Sequence, residues 1–322
     1  MTLLEQIEER CRSADARIAF PEADDPRIVE AAGEIAQKQI ATPVLIGNDE
    51  SMPAKIPDGV ESEIIEDADR IDKFAGLYSE ARGTKKGVAA HMVKRPLVYA
   101  GMMLVAGLAD GCVAGISHTT ANVLQSAGLT VGYKEGINAP SSCFLMIVPH
   151  LRGDSDTPVV FADCAVAVDP DPGELAEIAV ASARTARSFL TTTPRVAMLS
   201  FSTNGSAAHE VVDRVQEATR LAKQKLEDGF VEGELQFDAA VNPDVAEKKG
   251  VDGGEVAGKA NVIIFPDLNA GNICYKAVRE FCGVQAIGPV LQGFALPVND
   301  LSRSASVEDV VATTAVTVVQ GM

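Results

Sequence analysis

A hydroxyl, a fixed cation and a carboxylate fall within eight positions near the end of the chain, as Ser302, Arg303 and Asp309. Acyl transfer through an anionic tetrahedral intermediate uses these groups: a hydrogen-bond donor, a guanidinium for anionic oxygens and a proton acceptor. They lie on a turn after Pro297-Val298-Asn299-Asp300-Leu301 that opens onto the last apolar segment. A polar turn accounts for Ser302 and Arg303 equally well. Ser306-x-x-Asp309 also fits a helix N-cap with an acidic third position, and Glu308 adds charge where the helix dipole favours it. The two readings of Asp309 are compatible, because a capping carboxylate can still face a ligand.

Such groups need strands to hold them. Arg17-Ile18-Ala19-Phe20-Pro21 reads as a short buried strand, and Asp25-Pro26 opens a helix with Ile28, Ala31, Ala32 and Ile35 on one face. Thr42–Gly47 is a second strand, so this unit implies a parallel pair with a crossover. A third strand is expected at Ile64-Ile65-Glu66, and helical patterns cover 69–82 and 88–108. The buried run Asp110–Gly115 ends in the polar turn Ser117–Asn122, which leads into a helix. Strands are also expected at 141–148, 159–162, 196–201, 233–238 and 261–265, with helices over 173–190 and 209–226.

The alternation makes the chain α/β with mainly parallel sheets flanked by helices. Its candidate ligand loops are the polar segments after strands: 117–122, 202–206, 267–276 and 299–309. Glycines there let backbone N–H groups approach an anion. None matches G-x-G-x-x-G, the P-loop or G-x-S-x-G.

Composition narrows the partners. The 322 residues suit two domains of ordinary size or one large one, and 47% hydrophobic residues supply a sizeable core. A net charge of −17 argues against nucleic acid or an anionic membrane, so a phosphate-bearing substrate needs a local cationic pocket. Six cysteines without C-x-x-C spacing read as buried thiols of a reducing compartment. Four scattered histidines give no zinc motif. The N-terminal segment reads as an acidic amphipathic helix rather than a signal peptide, and no apolar run is long enough to span a bilayer. A cytoplasmic protein is expected.

Several long motifs resemble the phosphate acetyltransferase family: Asn299-Asp300-Leu301-Ser302-Arg303, Phe265–Asn272, Gly233–Ala240, Phe161–Val166 and Met198–Thr203. The resemblance runs nearly end to end. It implies two α/β domains, 1–137 plus 296–322 and 138–295, with the second inserted before the C-terminal segment and an active-site cleft between them. It further implies a homodimer catalysing acetyl-CoA + phosphate ⇌ acetyl phosphate + CoA, with CoA as substrate and no tightly bound cofactor or metal. Asp309 would take the thiol proton, while Ser302 and Arg303 would stabilise the oxyanion and departing phosphate. The substrate-binding set would be Arg82, Thr119, Thr120, Gln125, Ser202, Asn269, Asn272, Lys276 and Asn299.

Two departures stand out. The family's His-Thr-Thr-Ala-Asp-Val-Leu-Arg-Pro, whose arginine binds acyl phosphate, reads His118-Thr119-Thr120-Ala121-Asn122-Val123-Leu124-Gln125-Ser126 here. Gln125 cannot form the guanidinium fork. Ser304-Ala305 replaces the family's Gly-Cys. The alternatives are transfer of a longer acyl group such as butyryl, and a non-catalytic acetyl-CoA-binding module.

Overall fold

The computed structural model describes residues 2–153 and 156–322. Thr2 and Glu5 form a reciprocal capping box at the start of α1 (Leu3–Cys11). β1 (Arg17–Phe20) is buried after its first residue, and α2 (Pro26–Gln37) starts where Asp25 accepts the N–H of Arg27. Ile28, Ala31, Ala32 and Ile35 are buried on one face of α2, as the periodicity predicts.

β2 (Thr42–Gly47) runs parallel to β1 with Ile18 beside Pro43. β3 (Glu61–Ile64) ends where the strand was expected to begin. It is an outer strand and largely solvent-facing, so Glu61, Ser62 and Glu63 conceal it from a search for apolar runs. α3 (Ala68–Arg82) is followed by two helices, α4 (Lys86–Met92) and α5 (Pro96–Val105), where one was expected over 88–108. Pro96 divides them, because it lacks an N–H and pushes Arg95 out of the helical region. β4 (Gly111–Ala114) and α6 (Thr120–Leu129) follow.

The chain then builds a separate compact unit, Ile137–Gly293. β5 (Ser141–Pro149) and β6 (Asp156–Ala162) are antiparallel. α7 (Pro172–Phe189), β7 (Arg195–Leu199), α8 (Glu210–Lys225), β8 (Phe230–Leu235), α9 (Phe237–Val241), α10 (Pro243–Lys248), β9 (Val262–Ile264), α11 (Leu268–Cys282) and β10 (Gln285–Gln292) complete it. The sheet order is β10-β5-β6-β9-β7-β8, mixed at the β10 end and parallel from β6 to β8. β10 has no counterpart among the strands read from sequence. Gly288-Pro289 interrupts its pattern, and the register against β5 shifts there. Phe144, Phe161, Phe265 and Tyr275 anchor the core, with Phe144 and Tyr275 stacked at 4.2 Å between ring centres.

After Gly293 the chain returns as β11 (Val298–Asp300) and α12 (Val307–Gly321), joining the residues up to Gly136 in the other unit. The resulting sheet, β11-β4-β1-β2-β3, is parallel throughout. α12 is buried from Val310 to Val319, which explains its apolar sequence on every face. Among the described residues, no helix is long and apolar enough to cross a membrane.

Candidate active site

β11, β4 and β1 are adjacent parallel strands, so the loops after them leave the same sheet edge side by side. Asp300 sits beside Ala114 in register, and the Leu301 N–H donates to Ala114 O at 2.7 Å. Glu22, two residues beyond β1, is 1% exposed. Its Oε2 accepts the N–H groups of Gly115 and Ile116 at 2.8 and 3.0 Å, and its Oε1 those of Ser117 and His118 at 2.8 and 3.0 Å. His118 Nδ1 lies 2.7 Å from the same Oε1. The glycine-bearing turn after β4 was expected to cradle an external anion. An internal carboxylate takes those amides instead.

Thr119 caps α6 by accepting the Asn122 N–H, and Thr120 Oγ1 donates to Asp300 Oδ2 at 2.6 Å. Gly115 has φ 112°, and a Cβ there would collide with Asp300 Oδ1. Asp300 is 2% exposed. Burial, with the Glu22 charge adding to it, raises the Asp300 carboxyl to about 6 against the opposing Thr120 hydrogen bond. Gln125 is exposed on α6, on the same face as Ala121 and Asn122.

Ser302, Arg303 and Ser304 are exposed. The Ser302 and Ser304 hydroxyls are 2.9 Å apart. Arg27 Nη1 donates to the carbonyls of Arg303 and Ala305, each at 3.0 Å, and two hydrogen bonds to Asp25 hold Arg27 from behind. The backbone of Arg303 is thus anchored while its guanidinium is exposed, with no ion pair among the described residues. Asp309 closes the expected capping box: its N–H donates to Ser306 Oγ at 3.2 Å, and its Oδ2 accepts the Ser306 N–H at 3.1 Å.

Two expected binding residues of this unit are occupied elsewhere. Asn299 is fully buried, and its amide donates to Thr317 Oγ1 at 2.8 Å and Gln320 Oε1 at 2.9 Å, so it joins β11 to α12 rather than meeting substrate. Strand alternation sends its side chain to the helix-covered face. Arg82 donates to the carbonyls of Leu129 and Gly128, and so satisfies the C-terminus of α6.

Internal carboxylates recur in the other unit. Asp163, just after β6, accepts Ser142 N–H at 2.9 Å and the N–H groups of Ala165, Val166 and Ala167 at 2.8, 3.0 and 3.1 Å. Glu234 accepts Ser202 Oγ at 2.8 Å, Gly205 N–H at 2.7 Å and Gln216 Nε2 at 2.9 Å. Burial alone would raise its pKa, but these hydrogen bonds outweigh that and lower it. Ser202 is fully buried and also accepts the Ala207 N–H, so its role is to shape the loop rather than to bind substrate.

The polar run at 267–276 is the start of a helix: Asp267 caps α11 through the Ala270 N–H. Asn272 Nδ2 donates to Cys164 O at 2.9 Å, whereas Asn269 and Lys276 are exposed, with Lys276 Nζ 5.2 Å from the Tyr275 ring centre. Glu22, Asp163, Glu234 and Asp300 organise these loops without having been among the expected site residues. The available signal was an acidic residue at or just beyond a buried strand end.

The family model described as Phosphate acetyl/butaryl transferase matches residues 2–318. Phosphate acetyltransferases of Acetivibrio thermocellus and Bacillus subtilis are 42% and 40% identical, over 99% of this chain and 98% and 99% of theirs. The phosphate acetyltransferase of Escherichia coli is 42% identical over 98% of this chain and 44% of its own length. The structure is similar to EutD phosphotransacetylase from Staphylococcus aureus, with TM-score 0.89, 36% identity and coverage of 99% and 98%. A branched-chain phosphotransacylase from Enterococcus faecalis, 16% identical with TM-score 0.70 over 95% of this chain and 99% of that one, shares the fold.

Proposed function

The chain belongs to the phosphate acetyl/butyryl transferase family, and from that premise we propose that it moves an acetyl group reversibly between acetyl phosphate and coenzyme A. It is an acyltransferase. The observation that carries the reading is full-length identity of 40% and more to several phosphate acetyltransferases, with Ser302, Arg303 and Asp309 all present.

Asp309 takes the proton of the CoA thiol, the thiolate attacks the acetyl carbonyl carbon, and the bond from that carbon to the phosphate oxygen breaks. The proton leaves with the phosphate. Ser302 donates to the oxyanion, and Arg303 neutralises charge building on the phosphate. The anchored backbone at Arg303 supports this role, because a fixed origin limits the conformations its guanidinium must give up. Asn269 and Lys276 are exposed groups suited to CoA's amides and phosphates. The resemblance also supports a cytoplasmic homodimer, whose mass sedimentation velocity checks.

Gln125 favours one rival, a module that binds acetyl-CoA without turnover. Purified protein incubated with acetyl phosphate and CoA, followed by thioester absorbance, decides. Failure to form thioester from acetyl, propionyl and butyryl phosphates overturns the proposal, and tight CoA binding without turnover identifies the module. Relative rates across those three substrates set the acyl preference.

A further inference from the structure

Asp300 lies between the first turn of α6 and the Ser302–Arg303 turn, and only one of its carboxylate oxygens is used by a side chain. Oδ2 accepts from Thr120 at 2.6 Å, while Oδ1 is a buried oxygen without a hydrogen-bond partner. Gly115 closes over Oδ1, and a side chain there would fill the space it needs. A buried carboxylate left half-satisfied is unfavourable for folding, and such groups persist where they serve a site.

We propose that Asp300 is a positioning residue for acyl transfer: it fixes the rotamer of Thr120 and ties the first turn of α6 to the Ser302–Arg303 turn. The proposal rests on the acyltransferase reading. A threonine hydroxyl has one proton, and here Asp300 receives it, so Thr120 presents only lone pairs outward. The group it meets is therefore a donor. Acetyl phosphate as the dianion offers none, whereas CoA offers its thiol S–H and the amide N–H groups of its pantetheine arm. Thr120 is half-exposed, so a ligand can reach it.

The surroundings set the pH behaviour. The turns after β4 and β11 present backbone at Gly115 and Leu301, α6 presents Thr120, and the loop after β1 presents Glu22, itself joined to His118. No arginine or lysine bonds Asp300 among the described residues. Protonation of Asp300 removes the reason for the Thr120 proton to stay buried, and the hydroxyl is then released to rotate.

The test compares the parent with Thr120→Val, Thr120→Ser, Asp300→Asn and the double variant Thr120→Val/Asp300→Asn, measuring kcat and both KM values across the range from acid to alkaline pH. Thr120→Val is expected to lower kcat/KM for CoA about tenfold, the loss of one good hydrogen bond, with the acetyl phosphate KM little changed. Thr120→Ser restores most of it. Asp300→Asn removes the acid limb near pH 6, and the double variant is no worse than Thr120→Val alone.

An unchanged pH profile in Asp300→Asn, or losses shared equally by both substrates and additive in the double variant, overturns the proposal. Should Asp300→Asn fail to fold, Thr120→Val and Thr120→Ser still decide by the KM split. Should the parent show no turnover, the acyltransferase reading fails by itself. CoA affinity by calorimetry then decides the positioning role, which an unchanged dissociation constant in Thr120→Val overturns.

Discussion

Glu22 Oε1 receives both the backbone N–H and the ring Nδ1 of His118, at 3.0 and 2.7 Å. With the amides of Gly115, Ile116 and Ser117 on the same carboxylate, the turn after β4 is organised around a charge supplied by the chain itself. Asp163 and Glu234 do the same for loops of the other unit. A loop built around an internal anion keeps its shape when no substrate is bound, which is preorganisation in the sense useful to catalysis.

Glu22→Gln replaces one acceptor oxygen by an amide NH2 group, a donor facing two backbone donors. Leaving buried donors unsatisfied around a lost charge is expected to destabilise the protein by about 3 kcal/mol or more. Urea unfolding of parent and variant measures it. A change below about 1 kcal/mol would show that water replaces the carboxylate readily.

Substitution can separate the cap that Asp309 forms from its proposed role as the base. Asp309→Asn keeps an oxygen for the Ser306 N–H but cannot accept a thiol proton, so kcat should fall about a hundredfold or more while the melting temperature barely moves. Asp309→Ala loses the cap as well and should give up a further ~1 kcal/mol of stability. Equal activity in parent and Asp309→Asn would remove Asp309 as the base.

Legibility followed physical cause. α2 and α12 were readable because caps and apolar spacing agree, as at Asp25-Pro26 and Ser306-x-x-Asp309. β3 and β10 were not, since one is a solvated edge and the other is broken by Gly288-Pro289. At the site, Ser302, Arg303 and Thr120 were visible as polar residues after strands. Glu22 and Asp300 were hidden because their importance lies in contacts across 93 and 180 positions of sequence. Asn299 misled for the opposite reason: a polar residue within the motif turned out to face the core.

Thiol chemistry separates the cysteines. Cys112, Cys143 and Cys164 are buried, and burial raises their thiols well above the ordinary range, while Cys11 is pushed to about 11 for the same reason. Cys282 is exposed and Cys274 partly so. Iodoacetamide at pH 8 should therefore label Cys282 first in the native protein, and peptide mapping reads the order. Rapid native labelling of Cys143 or Cys164 would contradict the core described for the second unit.

The pH dependence of stability has a definite sign at Asp300. Its carboxyl titrates near 6 in the fold and near 3.8 when unfolded, so the native state holds the extra proton between those values. Its contribution is full below the unfolded value and is lost as pH rises to about 6, on the order of 3 kcal/mol in all. Asp25 and Glu234, whose carboxyls are lowered, act oppositely and lose their contribution as pH falls. Asp300→Asn should consequently melt above the parent at pH 7.5 and converge with it towards pH 4. A constant gap between the two melting curves would mean that the fold does not raise the Asp300 carboxyl.

Gln125 is the one position where a substitution should add activity. It lies exposed on α6, one turn from Ala121 and Asn122, and brings no charge to a chain whose net charge is −17. An arginine there would restore a charge-assisted fork towards the acyl phosphate, an interaction worth about 1.5–3 kcal/mol. Gln125→Arg should thus lower the acetyl phosphate KM or raise kcat by roughly tenfold to a hundredfold, leaving the CoA KM and the melting temperature near those of the parent. High salt should erode the gain, because the new contact is between charges at an exposed site. If Gln125→Arg gains nothing with acetyl phosphate at low ionic strength, the phosphate is held by other groups, with Arg303 the first to examine through Arg303→Gln.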